Sequence, residues 1–347
     1  MRAATFFDGE EWREGVVSLD AQARPVLHHG PAAAGTPRLD GRVIGGFTDH
    51  HVHLQLVDHA ALATSCLARV HDLGGDPAAL REIAVHNSGE SASDSAFRGV
   101  GAPPASGSPD LCTAAPPHAV EIRYAGAFLT PPGGYPSDRA WAPAGAVREV
   151  ADAAAAEAAV AELAAEGVPC LKVASNSTAG PVFPDELFRA IVRCAAAHGL
   201  PVVAHAEGPG EAQRAARLGA VRLAHAPFTE RLDDEEIARQ AAAVSWISTL
   251  AIHDDAARAI AVGNVARFHA AGGTVHYGTD MGNGPTPVDL NPAEVAALRA
   301  AGLDDAALLR ALAPADPRRP GALLLLLPDG STDPLDARPL TPADLKV

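Results

Sequence analysis

The sequence predicts an α/β fold: a (β/α)8 TIM barrel that follows a few small N-terminal strands. Three observations carry this. From about residue 47 onward, short apolar runs alternate with alanine-rich stretches of helical period, which is the pattern of βα units around a parallel sheet. The alternation yields eight strands, the number that closes such a barrel. Several helical stretches end in glycine just before the next apolar run, where a helix C-terminus takes up a left-handed residue.

The elements follow in order. Residues 1 to about 45 are short apolar pieces broken by Gly and Pro, such as "EGVVSLD", "RPVLHHG" and "GRVIGG", and read as small strands. Barrel strand 1 is "RVIGGFTDHHVHL". Strand 2 is "LARVHDLG", followed by a short helix from Pro77, and strand 3 is "VEIRYAGAFL". The helix "EVADAAAAEAAVAELAAEG" leads to strand 4, "VPCLKVA", and "PDELFRAIVRCAAAHG" leads to strand 5, "LPVVAHAEG". "GEAQRAARLG" precedes strand 6, "AVRLAHAPF", and "DDEEIARQAA" precedes strand 7, "AVSWISTL". "DAARAIAVGNVARFHAAGG" precedes strand 8, "TVHYGTD", and helices follow at "NPAEVAALRAAG" and "DDAALLRALA". Residues 86–119, rich in Ser, Gly and Pro, interrupt the pattern as a loose insertion between helix 2 and strand 3. That junction lies at the end of a barrel away from catalysis.

Composition narrows the function. A chain of 347 residues with 48% apolar content can fill one barrel core and a small appendage. Net charge is −15 and no Lys/Arg stripe occurs, which argues against nucleic acid and against anionic membranes as partners. Cys66, Cys112, Cys170 and Cys194 show no CxxC spacing and read as buried thiols in a reducing compartment. The N-terminal "MRAATFFDGEEWREG" lacks the apolar core of a signal peptide, and "GALLLLL" is too short to span a bilayer. The expectation is a cytoplasmic protein acting on a small-molecule substrate, with homo-oligomerisation left open.

The chemistry starts at "GGFTDHHVHL", residues 45–54. Side chains alternate along a strand, so His51 and His53 share a face with Asp49, which is expected to orient them, and His50 points to the helical layer. A pair of imidazoles alone is weak evidence for metal. The odds rise because strand 4 carries Lys172, strand 5 His205, strand 6 His225 and strand 8 Asp280. Each polar residue interrupts an apolar strand near its C-terminal end, and a barrel gathers those ends around one mouth. Buried separately, six such groups would each need a satisfying partner; one metal site accounts for all of them.

With these residues the sequence resembles the amidohydrolase superfamily. "GGFTDHHVHL" is similar to its strand-1 signature, and "CLKVASNSTAG", "VVAHAEG", "LAHAPF" and "YGTD" are similar in order and spacing to its strand 4, 5, 6 and 8 motifs. "RVHDLGG", "FLTPPGGY" and "LDDEEIARQAAAVSWISTL" look closest to the imidazolonepropionase-like and prolidase-like branch.

The resemblance, over residues 43–315, implies two divalent metal ions, most simply Zn2+. His51 and His53 would hold one with Asp280, His205 and His225 the other, and a carboxylated Lys172 would bridge them. It implies hydrolysis of a C–N bond in an amide, lactam or peptide-like substrate. A metal-bridging hydroxide would attack while Asp280 serves as general base and then acid. It also implies a small, reduced β-sandwich accessory domain from both termini, residues 1–45 and 320–347, around a barrel of residues 46–319. Tyr135 and His253 are the candidate substrate contacts, and Trp246 is assigned to packing. The rival readings are a mononuclear deaminase or cyclic-imine hydrolase, and a barrel that keeps its ligands for binding alone.

Overall fold

The computed structural model describes residues 1–87 and 118–346, so nearly all of the Ser/Gly/Pro-rich stretch 86–119 lies outside the described residues. The chain begins with β1 (Arg2–Phe7), β2 (Trp12–Leu19), β3 (Pro25–His29) and β4 (Arg38–Gly45). Parallel strands follow: β5 (Phe47–Val52), β6 (Leu67–Asp72) and β7 (Glu121–Tyr124) form one sheet. A second parallel sheet holds β8 (Phe128–Thr130), β9 (Val147–Glu149), β10 (Leu171–Asn176), β11 (Val202–Glu207), β12 (Arg222–Leu223), β13 (Ser245–Ile247) and β14 (Val275–His276). Its order is β14-β13-β12-β11-β10-β8-β9. At the end of the chain come β15 (Leu324–Leu327) and β16 (Arg338–Pro339).

Backbone contacts join the two parallel sheets. His50 N–H donates to the Tyr277 carbonyl at 3.0 Å and His53 N–H to the Met281 carbonyl at 2.7 Å, and Val52 bridges Met281 in parallel. On the other side, β7 and β8 are consecutive pieces of one extended stretch. Sequence periodicity reads that stretch as a single strand 3; the structure breaks it where Gly126 adopts φ +73°. A side chain there would also press on Leu163 at 2.8 Å, so the break needs glycine. The strand β9 was not foreseen.

Among the described residues eight helices accompany the parallel strands: α1 (Pro77–Asn87), α2 (Ala153–Ala165), α3 (Asp185–Ala197), α4 (Glu211–Leu218), α5 (Asp234–Ala243), α6 (Asp255–Ala270), α7 (Pro292–Ala300) and α8 (Asp305–Leu312). Their starts are chemically marked. Asp152, Asp233, Asp254 and Asp304 each accept a backbone N–H of the first turn at 2.7–2.9 Å. Such a cap is worth about 1 kcal/mol. Gly219 ends α4 in the left-handed region, as the sequence suggests.

Alternate residues of each strand go to different cores. On β11, Val202 and Ala204 join the large cluster that packs against helix residues such as Phe188 and Ile191. Val203 instead joins Leu73, Ala125, Ala224 and Ile247 in a small separate cluster. Trp246 packs on Phe268 with ring centroids 3.7 Å apart, the packing role its sequence suggests.

A six-stranded sheet of order β16-β15-β4-β1-β2-β3 gathers both ends of the chain. One of its faces packs Phe6, Val17, Val43 and Leu326 among themselves. The alternate residues Phe7, Ile44, Leu325 and Leu327 join the large core, which fastens the sheet to the rest of the molecule. Among the described residues no helix is long and apolar enough to cross a membrane.

Candidate metal centre and its cavity

The six expected ligands come together at the C-terminal ends of the parallel strands. Lys172 Nζ lies 3.4 Å from His51 Nε2. Asp280 Oδ1 stands 3.2 Å from both His51 Nε2 and His53 Nε2. His225 Nε2 and His205 Nδ1 are 3.0 Å apart. Donor atoms of His51, His225 and Asp280 all lie within 4.8 Å of one another.

The other ring nitrogens are tied outward. His51 Nδ1 donates to the Ala224 carbonyl at 2.8 Å and His53 Nδ1 to the Gly74 carbonyl at 3.0 Å. His205 Nε2 donates to Glu207 Oε2 at 3.1 Å, and His225 Nδ1 bonds Thr249 Oγ1 at 2.9 Å. A neutral imidazole that donates from one nitrogen offers a lone pair at the other. The inward atoms are therefore four imidazole nitrogens and a carboxylate oxygen.

The fit to a cation rests on one orphan. Asp280 Oδ1 is buried and has no partner in hydrogen-bond geometry, although two ring nitrogens flank it. A buried carboxylate oxygen left so costs free energy that a divalent ion among N and O donors recovers. The backbone is strained at the same place: Asp280 sits at φ +53° and Thr249 at φ +44°, conformations that cost about 1–3 kcal/mol each and mark functional sites.

Electrostatics agree. Burial holds His51, His205 and His225 below the usual imidazole value, so they stay neutral ligands. For His53 burial acts the same way, but Asp280 outweighs it and raises the ring. Burial opposes the charge of Asp280, yet the surrounding imidazoles hold its carboxyl well below the usual range. Burial pushes the Lys172 ammonium down to about 8.

Two expectations are corrected. His50 does not face the helices. The pairing of β5 with β6 slips between Asp49 and Val52, and this bulge breaks the simple alternation. The His50 ring instead packs edge-on against His71 and tilted against His276, at 4.8 and 4.6 Å between centroids. Both alternate with residues of the large core, Val70, Val275 and Tyr277. Asp49 does not orient the paired imidazoles either. It accepts from the His51 backbone N–H at 3.0 Å and from Thr279 Oγ1 at 2.6 Å, tying β5 to the loop after β14.

The ligands open into a cavity of about 390 Å³. Tyr135 and His253 both line it; Tyr135 stacks on His205 at 5.0 Å and His253 on Phe228 at 4.1 Å. Sequence reading missed the rest of the wall: Leu56, Phe128, Trp141, Phe228 and Ile252 on the apolar side, Glu207 and Asn283 on the polar side. Only Glu207 carried a signal, because in "HAEG" it falls two residues after His205 and so on the same face.

No family model matches the sequence, and no curated protein matches it. Solved structures do. A Xaa-Pro dipeptidase with methionine in its active site aligns over 94% of this chain and 93% of its own, at 16% identity and TM-score 0.63. An amidohydrolase aligns over 95% and 92%, at 17% identity and TM-score 0.65. Phenylurea hydrolase B aligns over 96% and 92%, at 16% identity and TM-score 0.65. The chain thus shares its fold with these structures, a mixed α/β architecture with the cluster at its strand ends.

Proposed function

We propose that this chain is a metal-dependent hydrolase of a carbon–nitrogen bond. In this reading residues 46–319 form one closed (β/α)8 barrel, and residues 1–45 and 320–347 form the accessory domain. The orphaned Asp280 Oδ1 among four inward-facing imidazole nitrogens carries the proposal. His51, His53 and Asp280 would hold one divalent ion, His205 and His225 a second, with Lys172 between them. Bound there, such ions, Zn2+ foremost, supply Lewis acidity and lower the pKa of water towards neutrality.

The chain's own residues do the remainder. Carboxylation needs an unprotonated amine, and the burial that brings Lys172 down to about 8 leaves a share of free amine at neutral pH. Asp280, through the carboxylate oxygen that does not hold the ion, takes a proton from the attacking water and returns it to the leaving nitrogen, base first and acid second. The apolar wall of Phe128, Trp141 and Phe228 suits an apolar acyl or aryl group, and Tyr135 and His253 flank it. A one-metal deaminase or cyclic-imine hydrolase is the second reading. It is favoured by the tight set of His51, His225 and Asp280, which alone could hold a single ion.

The test is a Zn2+-loaded protein assayed on N-acyl amino acids, dipeptides, lactams and cyclic imines, with metal counted per chain. Two equivalents and amide hydrolysis are expected; one equivalent with unmodified Lys172 selects the second reading. Asp280→Asn should keep much of the metal and lose at least about 100-fold in turnover. Near-normal turnover in that variant would remove Asp280 from the chemistry.

A further inference from the structure

The parallel strands have a second polar end, where they begin. Arg69 lies on β6, Glu121 and Arg123 on β7, and Arg222 on β12. Arg69 and Arg123 share the carboxylate of Glu121, at 2.8 and 2.6 Å. Among the described residues Arg222 meets no carboxylate: its Nε donates to Ser245 Oγ at 3.0 Å. Burial works against its charge. Three guanidiniums thus share one acid, in a chain whose net charge is −15.

Behind these cations lie the clustered rings of His50, His71 and His276. His50 is only 8% exposed, yet neither of its ring nitrogens has a partner, and His71 Nε2 has none. Arg222 is close enough to act electrostatically on all three rings. Buried imidazole nitrogens without partners are rare and point to a missing ligand. Three imidazoles alone would also suit a metal ion, but three guanidiniums repel a cation.

We infer that this end of the molecule binds a small oxyanion, of phosphate or carboxylate type. Arg222 supplies the uncompensated charge and a planar fork of N–H donors. The imidazoles add neutral N–H groups, directly or through water. The site lies where the strands begin, away from the strand ends that carry the candidate metal ligands, and the inference does not depend on the proposed reaction.

The experiment measures the melting temperature of the metal-loaded full chain in phosphate, in acetate and in chloride at matched ionic strength. At ten times the dissociation constant, the bound oxyanion should raise it by about 2 °C over chloride. A larger rise with phosphate assigns a tetrahedral anion, and a larger rise with acetate a carboxylate. Arg222→Gln should abolish the rise and Arg222→Lys should keep part of it. Should Arg222→Gln fail to fold, Arg69→Gln, which leaves Glu121 its Arg123 partner, should weaken it. A wild-type response no greater than in chloride overturns the inference. So does a full response in Arg222→Gln; if that response disappears once the metal is stripped, the anion sits on the metal.

Discussion

Glu207 shows how much of the centre depends on residues beside the ligands. Its carboxylate accepts from His205 Nε2 at 3.1 Å and is itself held by Asn176 Nδ2 at 2.7 Å. That fixes the tautomer of His205 and leaves Nδ1 facing His225. Partners of this kind are worth about 10- to 100-fold in metal affinity. Glu207→Gln should therefore weaken metal binding by about that factor with little change in thermal stability of the apo-protein, as read by metal titration. Unchanged affinity would mean that Glu207 only lines the cavity. The candidate ligands could be picked out because each is a polar residue inside an apolar strand. His50 was misread because a bulge leaves no mark in the residue pattern; the slip between Asp49 and Val52 is visible only once β6 is paired.

Among the elements, the turn after β6 bears most directly on the site. Gly74 has φ +145°, and its carbonyl accepts from His53. A Cβ at Gly74 would run into the Phe128 ring, itself part of the cavity wall. Gly74→Ala should destabilise the protein by about 1–3 kcal/mol in denaturant titration and lower activity through a shifted His53. Activity and stability both at wild-type level would show that the turn has slack. The helices were legible because alanine-rich periodic stretches carry their own caps, such as Asp152 and Gly219. Strands were harder. β12 and β14 span two residues each, because the chain leaves regular pairing to aim His225 and Asp280, and a run so short has no periodicity to read.

For the whole molecule, buried acids set the response to pH. Glu294 accepts the Ala251 N–H at 2.7 Å, and burial pushes its carboxyl up to about 7; burial also raises Asp49 to about 7. A carboxyl whose folded pKa is raised binds its proton more tightly when native. Its stabilising contribution is complete below the unfolded pKa of about 4.5 and is lost as pH rises to about 7. Unfolding free energy should therefore fall across that window and level off above it. Glu294→Gln, which imitates the protonated form, should remove about 3 kcal/mol of that fall and be the more stable protein at pH 8. Parallel stability–pH curves for the two proteins would contradict this. The alternation of strands and helices was legible at this scale because each βα unit repeats a local pattern. The joining of the chain ends was expected only from the resemblance, since "GALLLLL" could meet any open edge and nothing local specifies β4.

That pairing has a consequence for the order of events in synthesis. β4 runs almost directly into β5, which carries His51 and His53, and β15 lies antiparallel on β4 from Leu324 opposite Gly45 to Leu327 opposite Arg42. The strand that presents His51 and His53 is thus braced by a segment translated long after it. A nascent chain can form its βα units as they emerge, but it cannot brace β5 in this way until β15 has left the ribosome. A chain cut short before β15 keeps His51, His53, Lys172, His205, His225 and Asp280 while losing the strap behind the first two.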